Sequence, residues 1–292
     1  SFFIIIRFVI KIAMNKNFNH HLKSLGFRCV GENLWVRPDE ETIQEKLSSV
    51  DLVVSDLDEC MYPFITQAAA ALLIFRRVAS SPFNNTHLPL LPHIAPRLIR
   101  MLLIKSFHIL SGRANNSILI REYEDYACGI PGEYFAEETR KFLHYIRGGV
   151  VETLLHFKDR NIPVGIVSLS FDLIVGEIYK FLNTKYGLKI DFYDCSAVEV
   201  DELKRFKRFD PSRRLLTSED KGQILKARMA EYNSKCPLVI GHDQDDADMM
   251  LLCAETGGVR IGISPKESIV SELDIVVTCK DWQPLVGFLN NF

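Results

Sequence analysis

The sequence predicts an α/β fold, a Rossmann-like three-layer parallel sheet with an inserted α-helical cap. Three observations carry this. Short apolar runs at 52–54, 162–168 and 237–241 alternate with stretches of helical length and pattern, as strands buried on both faces of a parallel sheet do when right-handed crossovers join them. The interval 62–147 has no strand character and a mostly helical pattern. Polar, chemistry-bearing residues directly follow the apolar runs, at the carboxyl ends where open α/β sheets place their ligand sites.

Taken in order, residues 1–13 are apolar but interrupted by Arg7 and Lys11, too short and too charged to span a bilayer. They lack the basic start and small-residue cleavage site of a secretory signal. Met14 is the expected start, and the residues before it are set aside. A helix is expected around 16–25, a strand pair around 27–36 and a helix at 40–49, together an N-terminal extension over 1–49. The core is expected over 50–61 and 148–292, and the cap over 62–147, broken into pieces by Pro82, Pro89, Pro92 and Pro96. After it come a helix (149–160), a strand ending in Ser168, a helix (172–185), a β-rich patch (189–200) and a basic loop (204–214). A helix at 219–234 leads to the strand 237–241, then helix 246–254, strand 258–263, a short helix, strand 274–278 and a last helix.

With 292 residues, 47% apolar and 25% charged, the chain has ordinary globular composition. A net charge of −2 argues against a general nucleic-acid binder, which is usually basic. The seven cysteines contain no C-x-x-C pair. That is no zinc pattern, and an odd, scattered set fits reduced thiols in a cytoplasm.

Four features carry the chemistry. Asp56 and Asp58 follow the first apolar strand in V-D-L-V-V-S-D-L-D-E-C-M-Y-P-F, and their i, i+2 spacing in extended chain points both carboxylates one way. Ser168 ends the second strand and offers a hydroxyl to an anion. Lys221 sits in a first helical turn, where the helix dipole disfavours a cation, so a reason other than helix stability is wanted. The acidic cluster G-H-D-Q-D-D-A-D at 241–248 follows the third strand and repels itself unless screened. Each feature alone is also a common turn or solvated-helix element.

Their order and spacing resemble the haloacid dehalogenase superfamily, and within it the phosphoserine-phosphatase-like phosphatases, whose helical cap is inserted just after the first motif. The resemblance covers about residues 50–280. It implies a phosphatase that hydrolyses a phosphomonoester, a small phosphorylated metabolite, through an aspartyl-phosphate. Asp56 would be the nucleophile and Asp58 the acid/base; Ser168 and Lys221 would hold the phosphate. Mg²⁺ would be held by Asp56, the Asp58 backbone carbonyl, Asp243 and Asp246. The second aspartate favours phosphatase over dehalogenase chemistry.

Two departures stand out. Glu59-Cys60 occupies the place where the family usually has Gly-Thr, and His242 follows Gly241 where the first aspartate of the last motif is usual. Neutral histidine is a poorer Mg²⁺ ligand than carboxylate, so Asp243 or Asp246 is expected to supply the metal-binding oxygen. The rival is that His242 itself ligates and shifts preference toward Mn²⁺, Co²⁺ or Ni²⁺. Finally, residues 94–110, if helical, place Arg97, Arg100, Lys105 and His108 on one side. A cap helix that buries its apolar sides is the favoured reading of that stretch. Its alternative, a membrane-surface helix, would suit a membrane-associated lipid-phosphate phosphatase. A catalytically silent relative that binds a phosphorylated ligand is the other alternative, motivated by His242.

Overall fold

The computed structural model of the protein describes residues 18–37, 40–80, 90–111 and 116–290. Leading into the core are α1 (Phe18–Ser24), a hairpin of β1 (Arg28–Gly31) and β2 (Leu34–Val36), and α2 (Glu40–Ser48). The first core strand is β3 (Leu52–Ser55). Four helices follow: α3 (Thr66–Ser80), α4 (Leu91–Ser111), α5 (Asn116–Ala127) and α6 (Gly132–Arg140). Then come α7 (Val150–Asp159), β4 (Val164–Phe171), α8 (Asp172–Tyr186), β5 (Phe192–Ser196), β6 (Val198–Val200) and β7 (Phe206–Phe209). The chain finishes with α9 (Ser218–Tyr232), β8 (Pro237–Gly241), α10 (Ala247–Glu255), β9 (Val259–Ile263), β10 (Ile275–Val277) and α11 (Gln283–Leu289).

The main sheet has the order β1-β2-β10-β9-β8-β3-β4-β5. Its pairs from β10 to β5 are all parallel, and β2 runs antiparallel to β10. The sheet is therefore the parallel three-layer arrangement the sequence predicts. The hairpin expected at 27–36 forms as well, and it extends this sheet along β10.

Side chains alternate across each strand. Val53 faces a core built with α2, α7, α8, α11 and the helices between Thr66 and Arg140. Leu52 and Val54 face the opposite core, built with α1, α9 and α10. All three are fully buried, and burying such a side chain contributes about 1.5–3 kcal/mol. That double burial is why β3 reads as an unbroken apolar run.

Two expectations on irregular segments are corrected. Pro92 and Pro96 were expected to break the chain, but both lie inside α4. Proline is tolerated in a first turn because its missing N–H has no helical partner there, while Pro96 lies deeper. Pro82 and Pro89 fall outside the described residues. The basic loop expected at 204–214 contains β7, which pairs with β6, and a short turn of 3-10 helix at Pro211–Arg213. Its basic residues are matched by acids: Arg208 pairs with Glu199 at 2.8 Å and Arg205 with Asp201 at 2.7 Å.

This hairpin supports the helical block. Gly129 N–H donates to Phe206 O and Phe206 N–H to Ile130 O, both at 2.8 Å. Glu124 accepts from the Phe209 N–H at 2.8 Å and pairs with Arg214 at 2.9 Å. Phe206, Phe209, Phe171 and Phe135 close the junction with ring contacts at 5.3–6.0 Å.

The 94–110 stretch is helical throughout, within α4. Ile94, Leu98 and Met101 are buried, whereas Ile99 and Leu103 are 59% and 66% exposed. Arg100 reaches Glu122 at 2.6 Å and Arg97 donates to His93 O at 2.8 Å. The side chains of Lys105 and His108 lie outside the description. Among the described residues no helix is long and apolar enough to cross a membrane.

Candidate active site

The site lies at the carboxyl edge of β4, β3 and β8, where the register places each element. Ser55 is level with Ile166 on β4 and Ile240 on β8. Asp56 is the next residue, and its N–H donates to Ile240 O at 2.9 Å. Ser168 stands two residues beyond Ile166, inside a β4 that continues to Phe171 instead of ending at Ser168. Pairing with β5 is irregular between Val167 and Phe171, so the serine lies in a break in the ladder. Ser168 is fully buried, and its Oγ accepts from Ser170 N–H at 3.1 Å. Its own O–H can still donate to an anion.

Lys221 enters from α9. A capping box, in which Thr217 accepts from Asp220 N–H and Asp220 accepts from Thr217 N–H, starts that helix. The box holds Lys221 one residue further on, only 2% exposed. Its Nζ lies 2.7 Å from Asp56 Oδ1 and 2.8 Å from Asp246 Oδ1. The dipole penalty noted in the sequence is thus outweighed by two buried carboxylates, which push the Lys221 ammonium well up although burial opposes them. Burial and the Asp246 charge raise Asp56, whereas for Asp246 burial is outweighed by Lys221 and His242, which hold it low.

Asp58 turns toward the helical block. Its Oδ1 accepts the backbone N–H of Thr66, the first residue of α3, at 2.6 Å. Burial, with the Asp56 charge second, pushes its carboxyl up to about 6. A carboxyl near 6 can give a proton and take one back near neutral pH.

The loop after β8 is tightly built. Gly241 is needed there: a Cβ would come within 2.5 Å of Asp246 Oδ2. Asp246 Oδ2 accepts the His242 N–H at 2.8 Å. The structure engages Asp243, expected as a metal ligand with Asp246, elsewhere. Its Oδ1 accepts Asp245 N–H at 3.0 Å and its Oδ2 takes Lys266 Nζ at 2.6 Å. The side chains brought together as donors are instead Asp56, His242 and Asp246, each with a ligand atom within 4.8 Å of the others. The sequence favours Asp243 or Asp246 as the metal-binding residue and carries His242 as a ligand only as the rival reading; the grouping found here is the one that rival describes. The signal for His242 is its position, directly after Gly241 and four residues before Asp246.

His242 is 8% exposed. Burial would lower its imidazole, but Asp243, Asp246, Asp56 and Glu59 outweigh it and push the group well up. The surroundings therefore favour positive charge at this position, which a ring proton or a divalent ion supplies alike. Asp56 Oδ2 and both ring nitrogens are buried without a hydrogen-bond partner. An unpartnered Asp56 Oδ2 and an unpartnered imidazole, with Asp246 Oδ2 beside them, fit a divalent cation.

Glu59 is the other residue the sequence left without a role. Its φ is +55°, the left-handed region that costs a residue with a Cβ roughly 1–2 kcal/mol. The loop is held there by Arg147, whose Nη2 donates to Glu59 O at 2.7 Å. A glycine would take this conformation more easily, which accounts for the family's usual choice.

No protein-family model matches the chain, and no curated protein sequence matches it. Solved structures do. A phosphoserine phosphatase in a substrate-bound complex superposes with a TM-score of 0.61 at 17% identity, covering 82% of this chain and 98% of that one. A HAD family hydrolase from Salmonella enterica serovar Typhi gives 0.62 at 12% identity, covering 95% and 81%. Cytosolic 5'-nucleotidase IIIB bound to cytidine gives 0.57 at 12% identity, covering 94% and 97%. The chain has the fold of these solved phosphoserine phosphatases and HAD family hydrolases.

Proposed function

We propose that the protein hydrolyses a phosphomonoester through an aspartyl-phosphate, with residues 62–147 as a cap over the site. One observation carries this reading most strongly. A buried carboxylate, Asp56, fixed by Lys221 and with one oxygen unpartnered, lies beside a second carboxyl raised to about 6. The first is equipped to attack and the second to move protons.

In the first step an Asp56 oxygen forms a bond to phosphorus as the bond from phosphorus to the ester oxygen breaks, and Asp58 gives its proton to the leaving alkoxide. In the second, Asp58 takes a proton from water, whose oxygen attacks phosphorus and releases Asp56 and phosphate. Lys221 and the Ser168 hydroxyl bind the phosphoryl oxygens and stabilise their charge. The Thr66 N–H aims Asp58, so the start of α3 positions the acid/base. Asp56, Asp246 and His242 would hold a divalent ion, whose chemistry when bound is to offset repulsion between Asp56 and the phosphate.

The substrate class we favour is a small phosphorylated metabolite. The exposed Ile99 and Leu103 on α4 are the observation behind a second reading, a lipid phosphate met at a membrane surface. The test is a phosphomonoester panel with and without divalent ions, plus acid-quench trapping of radiolabelled phosphate on the protein. Trapping in the wild type and none in Asp56→Asn is expected. Turnover by Asp56→Asn at the wild-type rate would refute the assignment. Salt-sensitive co-sedimentation with anionic vesicles would move the substrate to a lipid.

A further inference from the structure

The two places where this chain departs from the pattern it resembles face each other. Glu59 Oε2 lies 3.8 Å from His242 Nε2, and Asp243 Oδ2 lies 3.4 Å from the same nitrogen. On the other side of the ring, Nδ1 is 3.3 Å from Asp56 Oδ2 and 3.6 Å from Asp246 Oδ2. The imidazole thus stands between two pairs of carboxylates, and neither nitrogen makes a hydrogen bond.

The separations on the Nδ1 side are informative. A direct N–H···O bond has its heavy atoms roughly 2.7–3.2 Å apart. Donors that share an ion at bonds of about 2.0–2.1 Å lie about 3.3–3.4 Å apart in tetrahedral geometry. The observed 3.3 and 3.6 Å exceed a direct hydrogen bond and leave room for an ion between the donors. The carboxylates are also turned for it. Both give Oδ1 to Lys221, which leaves the Oδ2 atoms on the His242 side.

The Nε2 side places two carboxylates toward the far ring nitrogen, at 3.4 and 3.8 Å. That is beyond direct hydrogen-bond distance but close enough for their charge to favour a proton there. A carboxylate facing the far ring N–H fixes the tautomer and the ring plane. Asp243 is held for this by Lys266 and by the Asp245 N–H. Glu59 is held by Arg147 in a backbone conformation that suits glycine better. What the chain gains from a side chain there is a second carboxylate at His242.

We propose that Asp56, His242 through Nδ1, and Asp246 form a mixed nitrogen–oxygen site for a borderline first-row ion such as Zn²⁺, Fe²⁺ or Ni²⁺ in preference to Mg²⁺. Glu59 and Asp243 are its positioning residues, orienting the imidazole from Nε2. Imidazole suits these ions, whereas Mg²⁺ wants an all-oxygen shell. The proposal deepens the phosphatase reading and rests on it for the ion's purpose, but binding is measured apart from turnover.

The experiment is calorimetric titration of the metal-free full chain with Mg²⁺ and with Co²⁺, a spectroscopic stand-in for Zn²⁺, with the visible Co²⁺ bands recorded. The wild type should bind Co²⁺ at least tenfold more tightly than Mg²⁺ and show the intense bands of a low-coordinate site. His242→Asp should shift the ratio toward Mg²⁺ by tenfold or more and weaken those bands. Glu59→Gln, which keeps the volume and removes the charge, should lower Co²⁺ affinity about 10- to 100-fold with the circular dichroism unchanged. It serves where His242→Asp does not fold.

Equal affinity for Mg²⁺ and Co²⁺, or no ion bound, would overturn the proposal. So would a Glu59→Gln protein with wild-type Co²⁺ affinity and spectrum. The two readings fail separately. Phosphomonoester turnover with Mg²⁺ favoured sinks the metal proposal alone; histidine-dependent Co²⁺ binding with no turnover on any phosphomonoester sinks the phosphatase reading alone.

Discussion

In the proposed mechanism Asp58 is the residue whose role can be separated most sharply, because its acid duty falls on the leaving group and its base duty on water, in different steps. Its carboxyl is raised from 3.8 to about 6. That difference of about 2.2 means a protonated fraction at pH 7 roughly 150-fold larger than for an unperturbed aspartate. Its proton matters when the leaving group is an alkoxide and little when it is a nitrophenolate, which leaves unaided. The Asp58→Asn protein should therefore lose roughly 10²–10⁴-fold on an alkyl phosphate and far less in aspartyl-phosphate formation from p-nitrophenyl phosphate. In the wild type, kcat/KM for the alkyl ester should fall as pH rises past about 6, while the aryl ester stays flatter. The same shift carries a stability consequence. A carboxyl that binds its proton more tightly folded than unfolded destabilises the fold as pH rises from about 4 to about 6. Below that window the effect is absent, and above it the loss is at most about 3 kcal/mol. Chemical denaturation of the metal-free Asp58→Asn protein should show it more stable than the wild type at pH 7, with the gap closing at pH 4. Equal losses on both esters in the rate of aspartyl-phosphate formation, or a wild-type rate on the alkyl ester, would refute the acid/base assignment.

Lys221→Met should be the most destabilising single change in the site. It leaves Asp56 and Asp246 buried without their shared cation, a loss on the order of 3–5 kcal/mol that urea titration would register. Gly241→Ala drives a Cβ against the Asp246 carboxylate; it should cost about 1–3 kcal/mol and weaken metal binding in calorimetry. Glu124→Ala removes the acceptor for Phe209 N–H and the partner of Arg214. It should lower stability by about 1.5–3 kcal/mol, and hydrogen exchange should show faster opening where α5 meets β7.

The fold was legible because burial on both faces writes itself directly into the sequence. Leu52, Val53 and Val54 read as an internal strand because both cores demand apolar side chains there. β7 was missed for the opposite reason. In Phe206–Phe209 two phenylalanines are buried at the ends and the basic residues between them are exposed, so charge hid a short edge hairpin whose pairing is decided by tertiary contact with residues 129–131. Ser168 reads as a strand end because the apolar run 162–168 stops there; the backbone stays extended to Phe171, with irregular pairing to β5 between Val167 and Phe171.

The site divides in the same way. Asp56, Lys221 and Asp246 were legible because an acid after an apolar strand, a cation in a first helical turn and an acid at a helix start each sit at a fixed offset, and the structure brings Lys221 within hydrogen-bond distance of both acids. Asp243 was expected as a ligand because oxygen suits Mg²⁺, and sequence spacing alone cannot tell which carboxylate in a run of four is used by its own loop. Asp243 is consumed in starting the turn at Gln244–Asp246 and in binding Lys266. That leaves the adjacent side chain, His242, pointing at Asp56. Nor could spacing pair Glu59 with His242, since 183 positions separate them; only the parallel pairing of β3 with β8 brings the two loops to one edge. A strained backbone at one loop and a histidine in an acidic position at the other each look like a defect alone. Set against each other across the site, they supply the charge and the orientation that a nitrogen ligand requires.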